Sequence, residues 1–239
     1  MGEPAFKIKY TFSNFLTDSA VQEPSHFVNE YKIKIWLLDS SDQKVELVGK
    51  GRFSVLLFSL AEENGCPLFD IMDVNDHVLE MSAYLFSHEE ESDYWEKIDN
   101  YYSEEPLIEN LNIGFLERLE LLPEYRGLGV GERVIQDIAS RFYNSCGLIV
   151  AKAVPLQQSE YLLQTKWGKK LRLNNLSNDE ETASYKLYNF FQKLGFDNPF
   201  HEKYFIAKPE HIVRKLVEKQ GNNNSNYDSL EDDDSELPF

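Results

Sequence analysis

PEYRGLGVGE, Pro123 to Glu132, is the stretch whose reading decides the fold. An apolar strand pattern, NIGFLERLELL (112–122), runs into it, and helical spacing runs out of it. Gly127, Gly129 and Gly131 fall on alternate positions. Without side chains they let the backbone come close to a ligand and adopt dihedrals that other residues resist. The first N–H groups of the helix that follows have no partner within it. Together with the helix dipole they form a site suited to an anion, phosphate best of all. The local reading is a pyrophosphate cradle between a strand and a helix.

Beyond the loop, Val130, Val134, Ile135, Ile138, Ala139 and Phe142 make an apolar stripe at helical spacing, and Gly147 is expected to end that helix. LIVAKAV (148–154) follows as a buried strand closed by Pro155. A strand–helix–strand unit of this kind is parallel with a right-handed crossover. Upstream, 5–12 and 31–39 alternate apolar and polar residues, and 44–60 reads as one long strand in which Gly49 and Gly51 mark a bulge or bend. These strands predict an antiparallel meander. Residues 67–86 have helical spacing, with Asp73 or Asn75 as a cap. Residues 156–177 are a polar excursion holding Trp167 and the cations Lys166, Lys169, Lys170 and Arg172. Ser177 and Glu180 have capping-box spacing for a helix over 178–194 that stops at Gly195. A last strand is expected at 204–209, then a short helix from Pro209 to Gln220. The fold class is α/β, mixed with α+β character: a central mixed sheet, antiparallel N-terminal strands and flanking helices.

The 239 residues carry a net charge of −17. Residues 221–239 contain six acids and no base, so the body through Gln220 carries −11 once those six are set aside. That end, GNNNSNYDSLEDDDSELPF, reads as a disordered acidic tail, and 1–220 as one domain. An acidic field repels nucleic acid and anionic membrane and favours cationic partners. Residues 89–105 hold eight acids, one lysine and the aromatics Tyr94, Trp95, Tyr101 and Tyr102. They fit either a solvated helix or a flap over a cationic substrate, which aromatic faces attract. Two cysteines, Cys66 and Cys146, make no disulfide framework and suit a reducing compartment. No apolar run reaches spanning length and MGEPAFKIKY lacks a signal core, so the expectation is a soluble, cytoplasmic protein. The five histidines show no metal spacing, so no metal is expected.

Three loop patterns compete at 123–132. A Walker loop needs Gly-Lys-Ser/Thr, but Glu132 follows Gly131. A dinucleotide fingerprint needs Gly-x-Gly-x-x-Gly, but the spacing is Gly-x-Gly-x-Gly. The third, Arg/Gln-x-x-Gly-x-Gly/Ala, is met in full by Arg126-Gly127-Leu128-Gly129-Val130-Gly131. With Leu121-Leu122-Pro123-Glu124-Tyr125 before it, this closely resembles the coenzyme-A loop of the GNAT superfamily of N-acetyltransferases. Leu187-Tyr188, six residues, then Gly195-Phe196 resembles that superfamily's second signature, with a longer gap than its commonest form. Where the family often has an asparagine two turns before the tyrosine, this chain has Glu181.

The resemblance covers roughly 112–208 and implies a GNAT-like sheet with a splayed parallel pair at the coenzyme-A loop. It implies an N-acetyltransferase that moves the acetyl group of acetyl-CoA directly to a primary amine, a cationic one by the charge reading, in a ternary complex. The backbone of Leu119, Leu121 and Leu122 would hold the pantetheine arm, and that of Arg126 to Gly131 the pyrophosphate. Arg126 adds charge or packs on the surface. Tyr188 is the candidate acid toward the leaving thiolate. Glu117 is preferred to Glu120 as base, because strict alternation groups Glu117 with Leu119 and Leu121 and sets Leu116, Arg118, Glu120 and Leu122 on the other face. The competing reading is a non-catalytic acyl-CoA-binding or protein-interaction module on the same scaffold. The acceptor amine, small molecule or peptide, and the oligomeric state stay open.

Overall fold

The computed structural model describes residues 4–12, 23–86, 96, 98, 100–102, 109–176, 179–199 and 203–228. Over these the chain is mixed α/β, an open six-stranded sheet flanked by helices. The strands β1 (Phe6–Phe12), β2 (Val28–Leu38), β3 (Lys44–Leu56), β4 (Ile113–Leu121), β5 (Leu148–Lys152) and β6 (Tyr204–Ala207) lie side by side in sequence order. β1 to β4 are antiparallel neighbours, β4 and β5 run parallel, and β6 returns antiparallel to β5. The meander and the parallel unit are those the periodicities predict.

The helices divide between the two faces because the strands alternate. On one face lie α1 (Phe58–Glu63), α2 (Leu68–Met72) and α3 (Asp76–Leu85). Their Phe58, Ile71 and Met81 pack with Phe115, Val150 and Ile206 of the sheet. The other face holds α4 (Val130–Arg141). The excursion that follows β5 contains α5 (Glu160–Gln164) and α6 (Lys166–Leu171). Then come α7 (Glu180–Lys193) and α8 (Pro209–Asp228), packed with α4 on its face of the sheet. Val134, Ile138, Phe191 and Ile212 meet Phe53, Leu116 and Ala151 there. Each such side chain, fully buried, contributes about 1.5–3 kcal/mol. A smaller cluster joins Leu162, Leu171 and Leu173 of the excursion to Leu122.

Several boundaries differ from the sequence reading, each for a local reason. β3 ends at Leu56 and α1 starts at Phe58, so the apolar run 44–60 is part strand and part helix; apolar runs do not distinguish the two. α4 stops at Arg141, capped by the Phe142 N–H donating to the Ile138 carbonyl, well before Gly147. Gly147 instead donates to the Asn112 carbonyl at the start of β5. Of the two caps considered for α3, Asn75 is the one used: its Oδ1 accepts from the N–H groups of His77 and Val78. α7 is capped by Asp179, which accepts from the Thr182 N–H at 2.9 Å; Ser177 lies outside the described residues. α8 runs on to Asp228 rather than ending at Gln220, since a nucleated helix adds one hydrogen bond per residue fixed. The expected boundary at 220/221 thus falls inside a helix, and residues 229–239 lie outside the described residues. Of the acids in 89–105 only Glu96 is described; Ile98 and Tyr102 from this stretch are buried in the core beneath α3.

One ion network ties the α3 side to the sheet. Glu80 of α3 accepts from Lys152 of β5 at 2.5 Å and from Lys203 just before β6. Burial opposes the charge of Glu80, but the two lysines prevail and hold its carboxyl below the usual glutamate value. A depressed carboxylate stabilises the fold above its unfolded pKa, about 4.3, and that stabilisation fades as pH falls through the folded value. Glu80→Gln is therefore expected to lower Tm at pH 7, with the gap to wild type closing as the buffer drops below about pH 4. A thermal-melt series from pH 3 to pH 8 measures it.

Candidate functional site

The site is built where β4 and β5 part. Their pairing runs from Ile113–Leu148 to Leu116–Ala151 and stops. The next residue of β4 is Glu117, and it is a bulge. The register with β3 passes from Phe53–Leu116 to Arg52–Arg118, leaving Glu117 as the extra residue. An inserted residue resets the alternation of everything after it. Leu116, Leu119 and Leu121 accordingly all pack toward α4 and α7, while Glu117, Arg118 and Glu120 sit together on the other face. This corrects the expected grouping of Glu117 with Leu119 and Leu121. Strict alternation cannot register an insertion.

The two carboxylates on that face differ in their partners. Glu120 is 4% exposed. It accepts the Trp167 indole N–H at 2.6 Å and meets Arg118 Nε at 3.3 Å. Lys50 lies over the Trp167 ring at 4.3 Å and shields the pair. Glu117 is also largely buried, its side chain 11% exposed. Its Oε1 lies 3.4 Å from His77 Nε2 and 3.5 Å from Arg118 Nε, and its Oε2 3.7 Å from Arg52. These approaches are attractive, yet Oε1 forms no hydrogen bond among the described residues. A buried acceptor in that state is uncommon; an outside donor reaches it only if His77, Arg118 or Arg52 shifts aside. Glu120 is a committed structural acid; Glu117 is the open one.

The glycine loop lies at the far end of the same strand. Pro123–Tyr125 form one turn of 3₁₀ helix, and Arg126 is extended. Gly127 and Gly129 have φ of +74° and +70°, conformations that strain any L side chain. Gly129 is also the N-cap of α4. A Cβ on either glycine would meet nothing within 4 Å, so the backbone there faces open space. Among the described residues, the N–H groups of Gly127, Leu128, Gly129, Val130 and Gly131 have no protein acceptor; Arg126 before them donates to the Pro123 carbonyl, and Arg133 after them to the Gly129 carbonyl. The side chains divide in function. Val130 is buried in the core and Leu128 is half exposed. Gly131 lies against Phe190, Leu119 and Leu121, which brings the first turn of α4 onto α7 and β4.

Arg126 does not face the open side of the loop. Its Nε donates to the Leu121 carbonyl at 3.0 Å, and a terminal nitrogen donates to the Leu171 carbonyl at 2.7 Å. Burial lowers its pKa from the usual arginine value, opposed by Glu124. Of the two roles left open for it, the guanidinium takes the structural one and ties β4 to the 156–177 excursion. Positive charge near the loop comes from a different place. A cavity of about 570 Å³ beside Tyr125 and Leu122 is lined by Lys169, Lys170 and Arg172, with Glu46 and Glu124 opposite. Arg172 pairs with Glu124 at 3.3 Å. The sequence reading noted this basic cluster without giving it a role; only folding brings it to the loop.

Tyr188 lies on the α7 side, edge-on to Phe205 of β6 at 5.4 Å. Its oxygen accepts from Gln192 Nε2 at 2.8 Å, which leaves its own O–H free to donate. Tyr188 and Glu117 thus approach the parted strands from opposite faces of the sheet. Cys146 is buried and its thiol is pushed up to about 12 by desolvation, the condition of an inert packing thiol. No cluster of three or more metal-capable side chains occurs among the described residues. No described helix is long and apolar enough to cross a membrane.

The anchoring role of Arg126 has a measurable consequence. Arg126→Ala removes two charge-assisted bonds to carbonyls and is expected to cost about 1–3 kcal/mol in urea unfolding. Arg133→Ala, whose guanidinium makes an exposed 3.4 Å contact with the Leu128 carbonyl and lies 5.3 Å from the Phe6 ring centroid, is expected to cost less, about 0.5–1 kcal/mol.

Comparison of the chain with protein-family models, with curated proteins and with solved structures finds no match.

Proposed function

We propose that the chain is a GNAT-type N-acetyltransferase that binds acetyl-CoA at the glycine loop and transfers the acetyl group directly to a primary amine. The observation that carries this reading is the row of five N–H groups from Gly127 to Gly131 without a protein acceptor, set at the start of α4. Such a row suits a pyrophosphate. Two further features fit it. The parallel pair parts after Leu116, which suits a slender arm laid along the edge of β4 at Leu119 and Leu121; Leu122 is engaged by Val48 and Tyr125, and the Leu121 carbonyl by Arg126. Lys169 and Lys170 offer charge for a further phosphate beside the loop.

When bound, acetyl-CoA supplies an activated thioester. The chain's own groups would do the rest. Glu117 Oε1, buried and without a hydrogen bond, accepts a proton from the incoming ammonium, so that nitrogen attacks as a neutral amine. Tyr188 gives its O–H proton, unengaged among the described residues, to the departing sulfur and is restored by the second proton that the nitrogen loses as the amide forms. Glu120 keeps Arg118 and Trp167 in place. A non-catalytic acyl-CoA-binding module is the second reading; the packing of Tyr188 on Phe205 from the opposite face to Glu117 favours it.

Gly129→Val adds a branched side chain in the open space before the loop. It is expected to weaken acetyl-CoA binding at least tenfold by calorimetry, beyond any loss of thermal stability from strain at positive φ. Unchanged affinity in a folded variant would remove the basis of the proposal. Glu117→Gln and Tyr188→Phe separate the two readings. Each is expected to lower turnover by about 10²–10⁴ with acetyl-CoA affinity nearly intact. A wild-type chain that binds acetyl-CoA but acetylates no member of a broad amine panel is the module instead.

A further inference from the structure

The sheet face that carries Glu117 also carries cations in register. Lys9, Lys34 and Lys50 stand opposite one another across β1, β2 and β3. Lys32, Arg52 and Arg118 form the next row across β2, β3 and β4. The intervening residues, such as Ile8, Ile33 and Phe53, point the other way into the core, so alternation fixes all six side chains on one side. Lys9, Lys32, Lys34 and Arg52 are exposed. Among the described residues Lys9, Lys32 and Lys34 have no acid within ion-pair distance, whereas Arg118 is shared by Glu117 and Glu120, and Arg52 reaches Glu117.

Like charges directly opposite on neighbouring strands destabilise a sheet. Here Lys34 stands between two lysines and Arg52 between a lysine and an arginine, in a chain whose net charge is −17. A ligand that neutralises the rows relieves that repulsion.

We propose that this face binds an extended acidic polypeptide segment of another molecule. Lys32 and Lys34, like Lys50 and Arg52, are two residues apart on one strand, a step of about 6.8 Å. Acids at alternate positions of an extended chain have the same step. The two rows span roughly 14 Å by 7 Å, well short of the 600–1,000 Å² that even a single DNA-binding module buries. The described tryptophans on this side each hold a lysine against one ring face, Trp36 with Lys44 and Trp167 with Lys50, which leaves fewer stacking faces for single-stranded nucleic acid. The surface ends on β4 beside Glu117, so an acidic chain lying on it delivers its end to the open carboxylate. That last link rests on the acetyltransferase reading; the binding does not.

The test is a binding measurement on the full chain. A labelled peptide of alternating Glu and Ser, its Lys–Ser counterpart, a dT oligonucleotide and phosphatidylserine vesicles are titrated at low and high salt. The acidic peptide is expected to bind best and to weaken as salt rises. Lys34→Glu is expected to weaken it at least tenfold without lowering Tm, because a carboxylate between Lys9 and Lys50 relieves the row. Lys186→Glu, the same charge change on an exposed position of α7, is expected to leave binding unchanged. Equal binding of the two peptides, tighter binding of the oligonucleotide or vesicles, or indifference to Lys34→Glu overturns the proposal. Binding that appears only after residues 229–239 are removed also overturns it and assigns the face to the chain's own acidic end. Acidic-peptide binding with no acetyl transfer counts against the acetyltransferase reading alone; transfer to amines with no acidic-peptide binding counts against this inference alone.

Discussion

The site depends on β4 losing its partner on one side while keeping it on the other. β3 holds the strand through Leu121, but β5 releases it after Leu116. The Glu117 bulge sits at that junction. An unpaired strand edge is a cost that a sheet interior avoids, and here it is confined between two packed layers. Anything that lays its own hydrogen-bonding groups along β4 between Glu117 and Leu121 extends the sheet there. The glycine loop, the excursion and α7 are all arranged at the mouth of this opening.

The loop and its supports divide the labour between main chain and side chains. The open donors at the loop are backbone N–H groups, which cannot rotate away and are oriented by the left-handed glycines. Arg126, the cation that opens the loop motif, is spent on the carbonyls of Leu121 and Leu171. Its removal from solvent fixes the end of β4 against the excursion that also brings Trp167 to Glu120. The loop and the carboxylates, seven to fourteen positions apart in the chain, are thus braced by one segment that follows β5.

Much of this was legible in the sequence because it rests on short-range rules. Period-two and helical spacing located the strands and most helices, and the glycine spacing marked the loop. What was illegible depends on non-local pairing. Nothing in NIGFLERLELL says that Glu117 is an extra residue; that follows from Phe53 pairing with Leu116 while Arg52 pairs with Arg118. The fate of the Arg126 guanidinium depends on a carbonyl 45 residues away. The distinction between Glu117 and Glu120 depends on Trp167 closing over one of them. The cation rows were hidden for the same reason: each strand shows an ordinary lysine alternation, and only the register stacks them. The acids of 89–105 and the end of the chain, read from composition, dominated the charge argument, although the face beside the open carboxylate carries the opposite sign.

The bulge has a further implication for how such a site can arise. With Glu117 left out, Leu116, Arg118, Leu119, Glu120 and Leu121 would alternate without interruption, and each would keep the face it already occupies. The packing of β4 therefore owes nothing to this residue. A single in-frame codon separates a plain strand from one that bears a buried acid where its pairing with β5 ends. Acquisition or loss of that codon would change the charge at the fork while leaving the hydrophobic pattern of β4 intact.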